Sequence, residues 1–325
     1  MKYVKLGNTG LDVSKICIGG MSFGDATKWV HDWVLNEEDT RKIIKKSLDL
    51  GINFFDTANV YSMGTSEEYL GRALKDYAKR EEVVIATKVF NRMHDGPNGQ
   101  GLSRKHIMQE VDASLKRLGT DYIDLLYIHR WDYETPIEET MRALHDLVVS
   151  VKVHYLGASS MYAYQFQKAQ NVAERNGWTK FIAMQNHYNL LYREEEHEMN
   201  AYCKETGVAL VPYSPFAAGR LARNWDSNTQ RMKTDFIAQR KYDSTEETDR
   251  KIIEQVGLVA EKYEVTRAQI ALAWLWEKGV VAPIVGVTKE KYLDDLVGAL
   301  EVKLNADDLE TLEKYYIPHA VMGHN

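Results

Sequence analysis

VVIATKVF (83–90), RKHIMQEVDASLKRL (104–118) and DLLYIH (124–129) follow one another in the chain, and their order decides the fold. The first and third runs are apolar without alternation. Both faces of such a strand must be covered, as in a parallel sheet packed inside helices. The middle run repeats its apolar residues every three or four positions, as a helix resting on that sheet requires. Working outward, the same unit recurs. Further strand-like runs are KICIG (15–19), NFFDT (53–57), HYLGAS (154–159), FIAMQN (181–186), VALVPYS (208–214) and APIVGV (282–287). Helical periodicity covers 38–50, 67–77, 137–149, 163–176, 194–206, 246–263 and 289–300, and an extra helical run, 266–276, precedes the last strand. Eight strands alternating with eight helices predict a closed (β/α)₈ barrel of the α/β class. An open doubly wound sheet would carry a G-x-G-x-x-G turn after an early strand. Gly19-Gly20-Met21-Ser22-Phe23-Gly24 does not supply one. Tyr3–Leu6 and Leu11–Val13 flank Asn8-Thr9-Gly10 and read as a small hairpin plugging one mouth of the barrel.

Length and composition agree with this. One barrel core absorbs roughly 250 residues or more, so the 325 residues are expected to form a single domain, 1–325. The net charge of −6 argues against a nucleic-acid partner, which would want a basic face. The two cysteines, Cys17 and Cys203, offer neither a disulfide framework nor zinc spacing. The start MKYVKLGNTGLDVSK has no apolar signal-peptide core, and the longest apolar stretch is too short to span a bilayer. A cytoplasmic protein without a membrane partner is expected, and its oligomeric state is left open. The run Glu194-Glu195-Glu196-His197-Glu198 reads as a solvated helix face rather than a metal site. The tail 318–325 is expected to be partly ordered at best. Two long connections, 91–103 and 216–243, stand out. The second carries Arg220, Arg223, Arg231, Lys233, Arg240 and Lys241, and loops of that length are usually functional or disordered.

Four polar residues stand where strands end or just beyond: Asp56, Tyr61, Lys88 and His129. The C-terminal strand ends of such a barrel build its active site. Taken one at a time, each has an ordinary structural reading. Together, on consecutive strand–helix units, they form a set suited to carbonyl reduction, which needs a hydride donor and a proton donor. A tyrosine hydroxyl titrates near about 10, high for an acid working near neutrality. An adjacent ammonium stabilises the phenolate and lowers that value. Lys88 is expected to do so for Tyr61, Asp56 to pair with Lys88, and His129 to orient the substrate oxygen.

FFDTANVY (54–61), ATK (86–88) and YIHR (127–130), with GASSMYAYQF (157–166), MQNHYN (184–189), PYSPFAAGRL (212–221) and AQIALAWL (268–275), resemble the aldo-keto reductase superfamily over essentially the whole chain. HRWD (129–132) and PIEETM (136–141) are similar to bacterial and fungal members acting on small or sugar-like carbonyls. The resemblance implies a catalytic tetrad of Asp56, Tyr61, Lys88 and His129, and NADPH as cofactor. It implies that Ser159, Ser160 and Gln185 hold the nicotinamide carboxamide and that Tyr213 stacks on the ring. Ser214, Pro215, Phe216, Gly219, Leu221, Arg223 and Arg240 would follow the pyrophosphate, with Gly20 and Met21 bordering the cofactor. Gly286, Thr288, Lys289, Tyr292 and Asp295 would surround the adenosine end. Ser160 replaces a common Asn and Val151 a common Gly; Tyr292 replaces a common Arg or Gln and Leu296 a common Asn, both expected to face the adenosine end. Trp29, Phe90 and Trp131, with Trp33 and Trp225, are candidates for the wall of the substrate pocket. The partner implied is a small-molecule carbonyl. The resemblance also admits a regulatory role like that of potassium-channel beta subunits.

Overall fold

A computed structural model describes residues 1–225 and 234–324. Arg231 and Lys233 of the basic connection lie outside them. Eight parallel strands form one sheet in the order β10-β3-β4-β5-β6-β7-β8-β9. In chain order they are β3 (Cys17–Gly19), β4 (Phe54–Asp56), β5 (Val84–Val89), β6 (Ile123–Ile128), β7 (Val153–Ser159), β8 (Phe181–Gln185), β9 (Ala209–Leu210) and β10 (Ile284–Val285). The edges meet. Tyr213 bridges Ile284, and the Ile284 amide donates to the Pro212 carbonyl at 2.9 Å. The result is the expected (β/α)₈ barrel. β9 and β10 are shorter than predicted because Pro212 and Pro283 interrupt them, and proline has no N–H for the ladder.

Helices α1 (Glu37–Asp49), α2 (Thr65–Tyr77), α3 (Arg104–Leu118), α4 (Ile137–Val149), α5 (Ala163–Asn176) and α6 (Met199–Thr206) clothe the first seven strands. Then come α7 (Phe236–Tyr242), α8 (Glu246–Tyr263), α9 (Arg267–Glu277), α10 (Lys291–Gly298) and α11 (Ala306–Glu313). Their apolar stripes pack on outward strand residues such as Ile85, Leu126, Leu156 and Met184. The extra helix α9 is present, and α11 was not predicted. β1 (Tyr3–Lys5) and β2 (Asp12–Ser14) pair antiparallel as the expected hairpin. Leu6 and Val13 are fully buried with the inward residues Cys17, Phe54, Val84, Leu125 and Ala209, so the hairpin closes the N-terminal mouth. Each such side chain contributes about 1.5–3 kcal/mol by leaving water.

Above that plug the inward positions follow strict two-residue parity, because successive strand side chains point to opposite faces. Tyr127 fills the axis. A Cβ at Gly157 would lie 2.4 Å from its ring, so a glycine is required opposite it. One step further along each strand, the same parity aims Asp56, Lys88, His129, Ser159, Gln185 and Tyr213 into the open C-terminal mouth.

Candidate active site

Lys88 is fully buried at the mouth. Its Nζ donates to Asp56 Oδ1 at 2.5 Å, to the Thr57 carbonyl at 2.6 Å and to Tyr61 Oη at 3.2 Å. Gln185 Nε2 donates to the other carboxylate oxygen, Asp56 Oδ2, at 2.9 Å. The ring of Tyr61 meets that of His129 edge to face, with centroids 5.8 Å apart. All four expected residues therefore converge. Burial alone would pull Lys88 down, but Asp56 and Tyr61 outweigh it and hold the ammonium above the ordinary lysine value.

The expectation for Tyr61 needs correction. Burial raises its hydroxyl, the Lys88 charge lowers it, and the net shift is upward. Desolvation of the phenolate wins over the neighbouring cation. Tyr61 thus keeps its proton at neutral pH. Burial, helped by Arg130 and Lys88, holds His129 well below the ordinary histidine range, so its ring is neutral. Asn91 Nδ2 lies 2.9 Å from His129 Nδ1. As the amide donates there, the ring proton sits on Nε2 and is free to meet a carbonyl oxygen.

A second group lies on the neighbouring strand ends. Ser159 Oγ is 3.3 Å from Ser160 Oγ, which donates to Tyr213 Oη at 3.4 Å. The Tyr213 ring stacks on His187 at 5.3 Å and 8°, and Lys241 Nζ is 4.9 Å from its centroid. Burial would raise the Tyr213 hydroxyl, yet Lys241 and Arg130 hold it below the ordinary phenol value. After Tyr213 the backbone turns left-handed at Ser214, Ala217, Ala218 and Gly219. Pro215 and Phe216 lie inside this turn. A pocket of about 220 Å³ opens beside it, lined by Gly219, Arg220, Arg223, Asn224, Trp225 and Gln239 among others. Two guanidiniums at a tight turn suit a pyrophosphate. Gly20 is buried against Asp56 and Ser66, beside the half-buried Met21. Gly286, Thr288 and Lys289 are exposed on the strand end next to Tyr213, with Tyr292 and Asp295 on α10, and open space surrounds Gly286. Arg240 is exposed on α7. The donors, the ring platform and the clear backbone fit a dinucleotide.

Several expectations differ from the structure. Leu221 is fully buried and its N–H bonds Phe216, so it cannot line a ligand with its side chain. Leu296 is in the core rather than at an adenosine edge. Lys289 precedes α10 by two residues, and α10 is not the last helix. Trp29 stands edge-on to Tyr61 at 6.0 Å and walls the mouth. Trp33 lies tilted against His31 with centroids 4.8 Å apart, one step removed. Phe90 and Trp131, just past β5 and β6, pack half-buried on the core. Trp225 lines the arginine pocket instead. The acidic run is solvated only at His197 and Glu198, and its first three residues are engaged. Glu194 accepts from Tyr316 and the His319 amide, Glu195 is buried 3.2 Å from His324 Nε2, and Glu196 pairs with Arg193. These bonds dock the tail, through His324, onto the loop after β8. The sequence reading passed over Asn91 and Arg130, although both directly follow inward strands. Among the described residues no helix is long and apolar enough to cross a membrane.

Comparison with known proteins accords with this geometry. Residues 15–317 match the Aldo/keto reductase family. The chain is 46% identical to versiconal hemiacetal acetate reductase of Aspergillus parasiticus, over 99% of this chain and 98% of that protein. It is 44% identical to aldo-keto reductase AMT2 of Alternaria alternata, over 99% and 94%. A putative aryl-alcohol dehydrogenase of Schizosaccharomyces pombe is 46% identical over 99% and 97%. The chain belongs to the aldo/keto reductase family. It is an oxidoreductase of carbonyl compounds, in a family that generally uses NAD(P)H.

Proposed function

We propose that this protein reduces an aldehyde or ketone to the alcohol with NADPH, Tyr61 being the proton donor. One observation carries the reading: the protonated hydroxyl of the half-buried Tyr61 bonded to a buried ammonium, with the neutral ring of His129 edge-on beside it. A bound reduced nicotinamide supplies the hydride. Tyr213 would support that ring from the neighbouring strand end, and Ser159, Ser160 and Gln185 would hold its carboxamide. His129 Nε2–H orients the carbonyl oxygen toward Tyr61. As negative charge grows on that oxygen, Tyr61 passes its proton across, and Lys88 stabilises the phenolate left behind. Asp56 keeps Lys88 charged and in place. Lys289 on its exposed turn supports a preference for the 2′-phosphate of NADPH. Trp29 beside Tyr61 favours a flat or aromatic substrate, in keeping with the aryl-alcohol name of one relative. The test is Tyr61→Phe. Fold and cofactor affinity should persist while turnover falls by about 10²–10⁴-fold. Activity within a few-fold of the parent would remove Tyr61 from the reaction.

A further inference from the structure

Behind the mouth, outside the barrel wall, runs a chain of buried polar groups that the reduction itself does not use. Thr87, next to Lys88 on β5, donates through Oγ1 to Glu67 Oε1 of α2 at 2.6 Å. The other Glu67 oxygen accepts from Arg117 Nε of α3 at 2.5 Å. Arg117 Nη2 lies 3.7 Å from Glu110 Oε2, about two turns earlier on α3. That same Glu110 oxygen accepts from Asn59 Nδ2 at 3.0 Å. Asn59 sits two residues before Tyr61, and its amide donates to the Lys88 carbonyl at 3.3 Å. Glu67 and Asn59 are wholly buried, and Glu110 nearly so.

The loop this chain grips is strained. Directly after Tyr61, Ser62 and Met63 both take left-handed angles, with φ of 48° and 50°, and Gly64 follows at 93°. Such conformations cost non-glycine residues about 1–3 kcal/mol each unless their surroundings enforce them. Arg117 is part of that enforcement. A Cβ at Gly64 would lie 2.6 Å from Arg117 Cδ, so side chain and loop backbone are in direct contact. The chain therefore starts beside one partner of the Tyr61–Lys88 hydrogen bond and ends beside the other.

We propose that Asn59, Glu110, Arg117 and Glu67 are positioning residues that set the distance between the Tyr61 hydroxyl and Lys88. The inference rests on Tyr61 being the acid. Catalytic groups displaced by about 1 Å lose on the order of 10²-fold in rate. Asn59→Ala, which cuts the chain at the loop and leaves both carboxylates with Arg117, should lower kcat by about 10–100-fold with NADPH affinity unchanged. Glu110→Gln keeps an acceptor for Asn59 and should retain most activity, whereas Glu110→Ala should behave like Asn59→Ala. The deciding measurement is a double-mutant cycle on kcat with Tyr61→Phe. If Asn59 acts through the Tyr61 hydroxyl, Asn59→Ala costs nothing further once that hydroxyl is gone. Losses that multiply in the double variant would overturn the proposal, and so would unchanged kcat in both Asn59→Ala and Glu110→Ala. Failure of the underlying reading is distinct: there Tyr61→Phe alone would leave turnover intact.

Discussion

Breaking the Asp56–Lys88 pair from either side should destabilise the protein, while removing both charges should restore it. The side chains of Lys88 and Asp56 are 0% and 3% exposed, and their contact is 2.5 Å. Water therefore reaches neither charge. Removing one partner of such a pair strands the other and costs about 3–5 kcal/mol, whereas replacing both by neutral groups of similar volume is often neutral or better. Lys88→Met keeps the stem volume, and Asp56→Asn keeps an acceptor for Gln185. Each single variant should lose about 3–5 kcal/mol, and the double variant should lie within about 2 kcal/mol of the parent, a coupling of at least about 4 kcal/mol. Urea unfolding followed by tryptophan fluorescence measures all four proteins. The pH response gives the sign. Without Lys88, the buried Asp56 carboxyl has a folded-state pKa raised above its unfolded one, because burial opposes its charge. The folded state then binds the proton more tightly, so Lys88→Met should lose stability as pH rises above the ordinary carboxylate range. Hydride transfer should stay abolished in the double variant. Stability losses that simply add across the two sites would refute the account of the pair as two mutually compensated buried charges.

Two further outcomes are expected. Lys289→Ala should weaken NADPH binding and leave NADH nearly unchanged, since only NADPH carries the 2′-phosphate; equal losses in the two measured dissociation constants would show that Lys289 does not read it. Val151 is 70% exposed just beyond α4 with φ of 56°, so Val151→Gly should raise thermal stability by about 1 kcal/mol, and an unchanged or lower melting temperature would contradict that.

The sequence made the barrel and the convergence of Asp56, Tyr61, Lys88 and His129 legible for one physical reason. In a strand buried on both faces, inward parity is forced, so a polar residue at the last inward position has nowhere to point except the mouth. Asp56, Lys88 and His129 are such residues, and Tyr61 lies within one short loop of them. Partners distant in the chain were harder to see. Glu195 meets His324 across 129 positions, and judged on its own segment it reads as one more solvated acid. The same distance hid the docked tail. Tyr61's upward shift was missed because proximity to Lys88 can be inferred from a motif, while the degree of desolvation around the hydroxyl cannot. Leu221 and Leu296 were misplaced for the converse reason, since a family position names a neighbourhood and leaves open which side of the chain faces the ligand. Asn91 and Arg130 were within reach. Each directly follows a strand end already read as functional.

The distribution of backbone strain gives this arrangement a further meaning. Among the described residues, non-glycine residues with left-handed angles are Ser62, Met63, Asn98, Val151, Ser160, Ser214, Ala217, Ala218 and Glu264. Val151 and Glu264 lie just beyond the ends of α4 and α8, where a left-handed residue ordinarily terminates a helix. Six of the others, all but Asn98, stand within about ten residues of the ends of β4, β7 and β9, beside Tyr61, the Ser159 pair and Tyr213. At the opposite mouth the hairpin seals an apolar layer of Leu6, Val13, Phe54 and Leu125. Unfavourable backbone at the C-terminal mouth is thus held against a well-packed base rather than distributed through the barrel. A loop free to relax would let the Tyr61 hydroxyl drift from Lys88, and in the mechanism proposed here that contact is the one on which proton transfer depends.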